Sequence, residues 1–378
     1  MIEIKEKENC CGCGACVQAC PQKCISLVDD VEGFWYPQVD IEKCIQCGKC
    51  DNVCPILDYE EKQQDVKSYV AYTTNDDIRK ESSSGGLFTL LAEDVLDDDG
   101  IVFGAAFDDE FMVYHTSVAN KVDLAKLKGS KYLQSRIENT FMEAKVALDN
   151  GIKVLFTGTA CQIEGLKKYL GRQYDNLMTV DILCHGVPSP KVWRSYLKER
   201  EKEIGNIKYI NFRNKSTGWK RYSIEILGDN SKEYKKEFFR DSFLRLFLGN
   251  ISLRESCYAC KFKGLSHPSD ITLGDCWGIG KYIPEMDDDK GTSVVLIHSI
   301  AGEKMYKAIE SKVKMSNVEI DEAIPPTVNA RMSAKLHPRR EEFFQRINAG
   351  ESTSDLVKLI ELPFFKKVKM KIKRMLEK

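Results

Sequence analysis

From residue 68 onward, two spacings of apolar and polar positions take turns along the chain. SYVAYT (68–73), IVFGAAF (101–107), MVYHTSVA (112–119), KVLFTGT (153–159), LMTVDILC (177–184) and IKYINF (207–212) are short, rich in β-branched and aromatic residues, and read as strands. Between them, LFTLLAEDVL (87–96), IENTFMEAKVAL (137–148), CQIEGLKKYL (161–170) and VWRSYLKEREKEI (192–204) place apolar residues at helical spacing. Strand and helix in alternation predict an α/β domain over residues 66–335, a mixed sheet covered by helices. Ahead of it, residues 25–40 alternate about Glu32-Gly33 as a β-hairpin does. The polar stretch YEEKQQDVK from Tyr59 has no apolar period and reads as a linker, which leaves residues 1–58 as a domain of their own.

The end of the chain, a helical basic tail over 336–378, follows a different pattern. Phe364, Phe365, Val368, Ile372 and Met375 fall on one helical face, and Lys366, Lys367, Lys369, Lys371, Lys373 and Arg374 supply positive charge. Such a helix either lies on an anionic membrane or partner, or packs its apolar stripe on the body.

Composition narrows the class. The 378 residues are 43% hydrophobic and 30% charged, which suits globular domains. With 56 basic and 57 acidic residues the net charge is −1, so no overall field points to nucleic acid. No stretch reaches the ~20 apolar residues of a membrane span, and MIEIKEKENC lacks the apolar core of a secretion signal. The expectation is a cytoplasmic protein, at most peripheral on the inner membrane face through its tail.

Fifteen cysteines in a long chain of this kind point to metal ligation in a reducing compartment. Cys10, Cys13, Cys16, Cys20 and Pro21 repeat as Cys44, Cys47, Cys50, Cys54 and Pro55, each a C-x2-C-x2-C-x3-C-P run. Three closely spaced thiolates grip one cubane while the fourth reaches the other cluster. Cluster one is therefore Cys10, Cys13, Cys16 and Cys54, and cluster two is Cys44, Cys47, Cys50 and Cys20. Two 4Fe–4S clusters make residues 1–58 an α+β ferredoxin-like domain. A zinc domain has no use for two complete four-cysteine runs ending in Pro. Cys11 and Cys24 fall outside the register and read as packed or free thiols.

Three features of the larger domain look chemical. Ser82 to Gly86 precede a helix, where free N–H groups can hold a phosphate or the polar edge of a flavin; as a plain N-cap the segment needs no ligand. Lys128 to Ser135, KGSKYLQS, is either a cationic loop for a pyrophosphate or anionic flavin, or a solvated loop. Cys161 opens a helix, Cys184 closes a strand, and Cys257 and Cys260 form a C-x2-C. Since strand ends line the crevice of an open α/β sheet, these four could converge on a third cubane. The alternatives are structural thiols or zinc. Cys276 reads as a packed thiol near that site.

SSSGG (82–86), KGSKYLQS (128–135), FTGTACQIEGL (156–166), DILCHGVPSP (181–190), CYACKF (257–262) and SDITLGDCWGI (269–279) resemble the beta-subunit family of deazaflavin (coenzyme F-420) reducing hydrogenases and dehydrogenases. The resemblance covers nearly the whole chain to about residue 330. It implies a mixed-sheet α/β flavoprotein domain with bound FAD and at least one cubane beside it. By position, Ser83, Ser84, Gly85, Gly86, Gly129, Ser130, Lys131, Thr157, Gly158 and Thr159 would contact the flavin, and Cys161, Cys184, Cys257 and Cys260 become the favoured inner cluster. Two departures stand out. Ala160 sits where a proline commonly precedes the cysteine, and Cys276 where an aromatic commonly follows Gly-Asp.

A flavin exchanges a hydride for single electrons, and cubanes carry one electron each. The expectation is an iron–sulfur flavoprotein oxidoreductase that passes electrons between clusters and FAD, and on to or from a deazaflavin, NAD(P)H, ferredoxin or a small organic substrate. Its partner would be a redox protein or a reduced coenzyme. Lys131 and His185 are candidates to place charge or a proton near the ring. The alternative is a non-catalytic electron-transfer subunit of a larger redox complex.

Overall fold

The computed structural model describes residues 1–57, 59–60, 64–229, 231–326 and 328–361. The apolar and basic positions of the tail from Phe364 onward lie outside the described residues. Among those described, no helix is long and apolar enough to cross a membrane.

The first 57 residues hold two short helices, α1 (Ala15–Ala19) and α2 (Lys49–Asn52), around the hairpin β1 (Ile25–Asp29) and β2 (Trp35–Val39). Gly14 and Gly48 occupy the same place in the two cysteine runs, each capping its helix with a left-handed backbone at φ 74° and 71°. An L side chain is disfavoured there, so the glycines set how each loop turns back.

Next come β3 (Lys67–Thr73), α3 (Asp76–Glu81), α4 (Leu87–Asp97), β4 (Ile101–Phe107) and β5 (Val113–Val118). They are followed by α5 (Thr140–Asp149), β6 (Val154–Thr159), α6 (Ala160–Leu170), β7 (Leu177–Ile182) and α7 (Pro190–Ile204). The chain continues through β8 (Ile207–Asn214), β9 (Ser223–Gly228), β10 (Glu233–Glu237) and α8 (Ser242–Leu248). It closes with β11 (Ile271–Asp275), β12 (Ser293–Ile297), α9 (Ile300–Ile309), β13 (Val313–Asn317), α10 (Ile320–Ala323), α11 (Arg340–Asn348) and α12 (Thr353–Leu356).

Eight strands form one mixed sheet in the order β13-β3-β12-β11-β7-β6-β4-β5. Four adjacent strands, β11, β7, β6 and β4, run parallel, flanked by β12, β3 and β13, each paired antiparallel to the last, on one side and by antiparallel β5 on the other. Both faces of the parallel part are covered, as such strands require. On β6, Val154 and Phe156 pack with α5 and α6, while Leu155 points to the opposite layer of α4 and α9. A separate antiparallel sheet, β10-β9-β8, packs with α7, α8 and α11 around Trp193 and Tyr196 in the largest apolar cluster. Helix α7 is launched by the Ser189 side chain, which accepts from the Lys191 and Val192 amides, with Pro190 in the first turn.

The helix expected over 137–148 begins only at Thr140. Glu138 has a left-handed backbone at φ 50°, and the Ile137 carbonyl is taken by the Thr140 hydroxyl at 2.7 Å. Cys184 does not close its strand, because β7 stops at Ile182 and Cys184 lies two residues beyond it. Strands β9 to β13 fall outside those the pattern predicts.

The two parts of the chain are fastened by polar contacts, most of them buried. Arg340 grips Glu32 of the hairpin turn with two hydrogen bonds, at 2.7 and 2.5 Å. The Ser189 hydroxyl donates to the Glu32 carbonyl, and Lys191 Nζ to that of Val31. Arg254, wholly buried, donates to the carbonyls of Cys10 and Trp35 and to Gln134 Oε1.

Candidate functional site

Three cavities hold nearly all the cysteines. One of about 370 Å³ is lined by Cys10, Cys13, Cys16 and Cys54, another of about 340 Å³ by Cys20, Cys44, Cys47 and Cys50. Each therefore collects three thiols of one run and the last thiol of the other. Cys24 lines the second cavity with its sulfur 3.4 Å from that of Cys20. The second cavity is the outer one: Cys47 is exposed and Ile45 is 61% exposed beside it.

The third cavity is larger, with about 830 Å³ of free space, and lies at the C-terminal ends of β6 and β7. Cys161 reaches it from the first turn of α6, Cys184 from beyond β7, and Cys257 and Cys260 from the segment after α8. Cys276 does not line it; its thiol points to the Ala323 carbonyl in a separate apolar cluster with Val70 and Ile279. Cys11, out of register in the sequence, lines both this cavity and that of Cys10, Cys13, Cys16 and Cys54, as do Gly12 and Ile56. The two cavities thus share a wall. Gly12 is confined there: a Cβ would sit 2.3 Å from Gln134 Nε2.

The thiols of this cavity resist losing their protons. Hydrogen bonding to Cys11 and then burial hold the Cys161 thiol protonated to well above ordinary pH, and burial pushes Cys184 up to about 12. A metal centre reverses that preference, because it binds thiolates and takes the place of their protons. Among the described residues no three His, Cys, Asp or Glu side chains group as they would around a single ion. Ligands of a cubane grip separate irons and stand further apart. The Lys263 ammonium lies beside the cavity, donating to the Cys184 and Asn329 carbonyls.

Of the residues expected at a flavin only Thr159 lines this cavity, and the 128–135 loop reaches it through Gln134. Ser83 Oγ accepts the amide and the hydroxyl of Ser130, both at 2.8 Å, which joins the 82–86 and 128–135 loops. His115, buried between Ser135 Oγ at 2.6 Å and the Thr157 carbonyl at 3.0 Å, links the second loop to the end of β6. Thr159 caps α6 and lies 3.1 Å from Cys161 Sγ. Gly158 meets Gln162 and His115 on one side. Gly85 and Gly86 are instead pressed against the sheet, where a Cβ would come within 2.5 Å of the Ala71 carbonyl and 2.8 Å of Thr73. Ser84 Oγ is likewise turned to the Thr292 carbonyl. Gly129 faces open space.

Cations gather around these loops. Arg213 is buried, bonded to Asp275 at 2.8 Å and Tyr132 at 3.0 Å, yet its Nε and second terminal nitrogen have no partner. Lys215 donates to the carbonyls of Arg79, Ser84 and Lys290, and burial lowers it to about 8. Lys131 folds back on the carbonyls of Leu127, Lys128 and Gly129, and burial lowers it to about 7. Unspent N–H donors and destabilised ammonium groups fit an anionic ligand such as a flavin nucleotide. His185 does not line the cavity. Its ring bonds to Asn250 at 2.7 Å and Asn329 at 3.3 Å and packs edge-on against Phe247.

Comparison with known proteins follows the same division of the chain. Residues 9–56 match the family model for a 4Fe-4S dicluster domain. Residues 68–140 match the model for the N-terminal part of the Coenzyme F420 hydrogenase/dehydrogenase beta subunit, and residues 151–323 match the model for its C terminus. The chain is 23% identical over 350 residues to the uncharacterized protein MJ1349 of Methanocaldococcus jannaschii, covering 81% of this chain and 88% of that protein. It also overlays a chain of the F420-reducing NiFe hydrogenase complex from Methanosarcina barkeri with TM-score 0.48 and 17% identity, over 78% of this chain and 90% of the other.

Proposed function

We propose, from the premise that this chain belongs to the Coenzyme F420 hydrogenase/dehydrogenase beta subunit family, that it is an iron–sulfur flavoprotein oxidoreductase. Electrons pass between the two clusters of the dicluster domain, a third cluster on Cys161, Cys184, Cys257 and Cys260, and FAD at the Ser83 and Ser130 loops. The terminal donor or acceptor is a reduced coenzyme, deazaflavin or NAD(P)H, a ferredoxin, or a small organic molecule.

The observation that carries this reading is the wall of Cys11, Gly12 and Ile56 shared by the Cys10 cavity and the inner cavity. It gives the route an order. The outer cavity of Cys44, Cys47, Cys50 and Cys20 meets the external partner, the Cys10 cavity follows, and the inner cavity leads through Thr159 to the flavin loops. A bound flavin would supply the exchange between single electrons and a hydride. The protein's own groups do the positioning. Arg254 fixes the Cys10 loop against Gln134, Thr159 holds Cys161 at the head of α6, and Lys131, Arg213 and Lys215 offer charge to an anionic ligand.

The test is iron, acid-labile sulfide, zinc and flavin analysis of one anaerobic preparation. Three cubanes require about twelve irons per chain, with one flavin. About eight irons, with zinc or without flavin, would reduce the chain to a dicluster electron carrier. Turnover of a reductant with an artificial dye by the pure protein then separates an independent oxidoreductase from a subunit that needs a catalytic partner.

A further inference from the structure

Among the described residues, a single histidine stands in the wall of the inner cavity. His267, only 3% exposed, lines that cavity. Its Nδ1 lies 2.9 Å from Oδ2 of Asp181, a fully buried residue of β7 that does not line the cavity. The other carboxylate oxygen of Asp181 accepts from Thr272 Oγ1 at 2.5 Å, and Thr272 Oγ1 is 2.8 Å from His298 Nε2. The protons can be assigned along this chain. The Thr272 hydroxyl spends its proton on Asp181, so it accepts the Nε2–H of His298, and His267 Nδ1 carries the proton on Asp181. Nε2 of His267 is buried and makes no hydrogen bond of good geometry, the Gly264 carbonyl being the acceptor near the ring.

The backbone that carries the ring is pinned as well. The His267 amide donates to Gln64 Oε1 at 3.1 Å, and Gln64 Nε2 returns a bond to the His267 carbonyl at 3.0 Å. Two charged side chains face the ring, Asp181 and Lys263, together with the Gly264 carbonyl. Burial works against a charged imidazole, but the Asp181 carboxylate outweighs it and holds the ring's pKa above the ordinary value. His298, facing Asp181, His267, Asp270 and Lys167, goes the other way, lowered by burial to about 4. A fully buried carboxylate needs a cation, and His267 is the titratable group bonded to Asp181. The pair has the form of a histidine backed by a carboxylate, with the outward nitrogen left for a metal centre or its sulfur.

We propose that His267 is a fixed cation in the cavity wall, its Nε2–H directed at the reducible centre held by the cysteines, and that it sets that centre's reduction potential. This rests on the iron–sulfur reading of the cavity. One electron arrives from the neighbouring dicluster cavity and adds one negative charge. No bond forms or breaks and no proton moves; the imidazolium compensates the charge across a wall of low dielectric. His267 is thus a charge and hydrogen-bond partner of the centre rather than one of its ligands.

The test uses the full chain, purified anaerobically, with iron counted and the inner centre followed by EPR during a redox titration, identified as the signal lost in C184A. In H267Q with about twelve irons, reduction of the inner centre becomes at least tenfold less favourable, a shift of about 59 mV or more to lower potential for one electron. D181N, altered outside the cavity, shifts it the same way by less, because the carboxylate and the charge it held on His267 are lost together. An unchanged or raised potential in H267Q with full iron overturns the proposal. If H267Q loses iron, D181N decides, and an unshifted potential there overturns it. Wild-type protein with about eight irons would instead overturn the iron–sulfur reading itself.

Discussion

Arg254 donates its Nε–H to the carbonyl of Cys10 at 2.8 Å, so a residue of the larger domain holds the first cysteine of the dicluster domain in place. The same guanidinium reaches the Trp35 carbonyl at 3.0 Å and Gln134 Oε1 at 3.3 Å and lies over the Tyr36 ring at 4.1 Å. One buried cation therefore fixes the register of a cysteine loop, a hairpin and the loop leading to Gln134. That register sets the separation of the two cavities that share the Cys11 wall.

Replacing Arg254 by Met takes the guanidinium donor from three acceptors, two of them buried and the Cys10 carbonyl partly so. Each such group costs about 1–3 kcal/mol, and partial relaxation brings the expected loss to about 3–5 kcal/mol. Anaerobic urea unfolding of R254M followed by tryptophan fluorescence should show a lower midpoint at unchanged slope. An unaltered midpoint would mean that this clasp contributes nothing to docking.

Glu32 and Arg340 make a second clasp, both only 8% exposed. E32A strands the guanidinium and should cost about 3–5 kcal/mol, whereas the double change E32A with R340M, which removes both charges, should cost less than the sum of the single changes. A double-mutant cycle by urea unfolding reads the difference. Additive losses would show that the pair is not coupled.

Gly165 lets α6 approach the dicluster loop. A Cβ there would stand 3.0 Å from both Cβ and Sγ of Cys13. G165A should destabilise by about 1–3 kcal/mol through overpacking. The bulkier G165V should drive Cys13 off its cavity and release about four irons per chain. Full iron content in G165V would show that the loop yields without losing its ligands.

The alternating pattern between 68 and 212 made three of the four parallel strands, β4, β6 and β7, legible, because strands buried on both faces are nearly continuous apolar runs and their helices carry a clear period. β9 and β10 were harder. SIEILG and EYKKE alternate like a half-exposed hairpin but are short and polar. β11, β12 and β13 have five residues each, too few for periodicity to separate a strand from a buried turn of helix. The spacing of the two cysteine runs was explicit in the chain, whereas the place of Cys11 was not, since nothing local marks a thiol that faces two cavities. His267 was missed for the same reason: Asp181, which gives it meaning, lies 86 residues away in the chain.

Lys131 links the fold to pH. Its half-buried ammonium is folded onto the carbonyls of Leu127, Lys128 and Gly129, and burial brings its pKa from 10.5 down to about 7. The unfolded chain therefore binds more protons than the folded one between about pH 7 and 10.5, and stability rises with pH across that window. Discounted for partial exposure, the gain is about 1–2 kcal/mol in all. K131M, which cannot titrate, should be flatter between pH 7 and 10 in urea unfolding than wild type. An anionic flavin at the Ser130 loop would favour the charged ammonium, so binding should draw a proton onto Lys131 and weaken as pH rises through 7. Flavin titrations of the flavin-stripped protein at pH 6 and pH 9 should therefore differ for wild type and agree for K131M. Equal pH dependence in the two proteins would remove Lys131 from the flavin site and leave its charge to the fold alone.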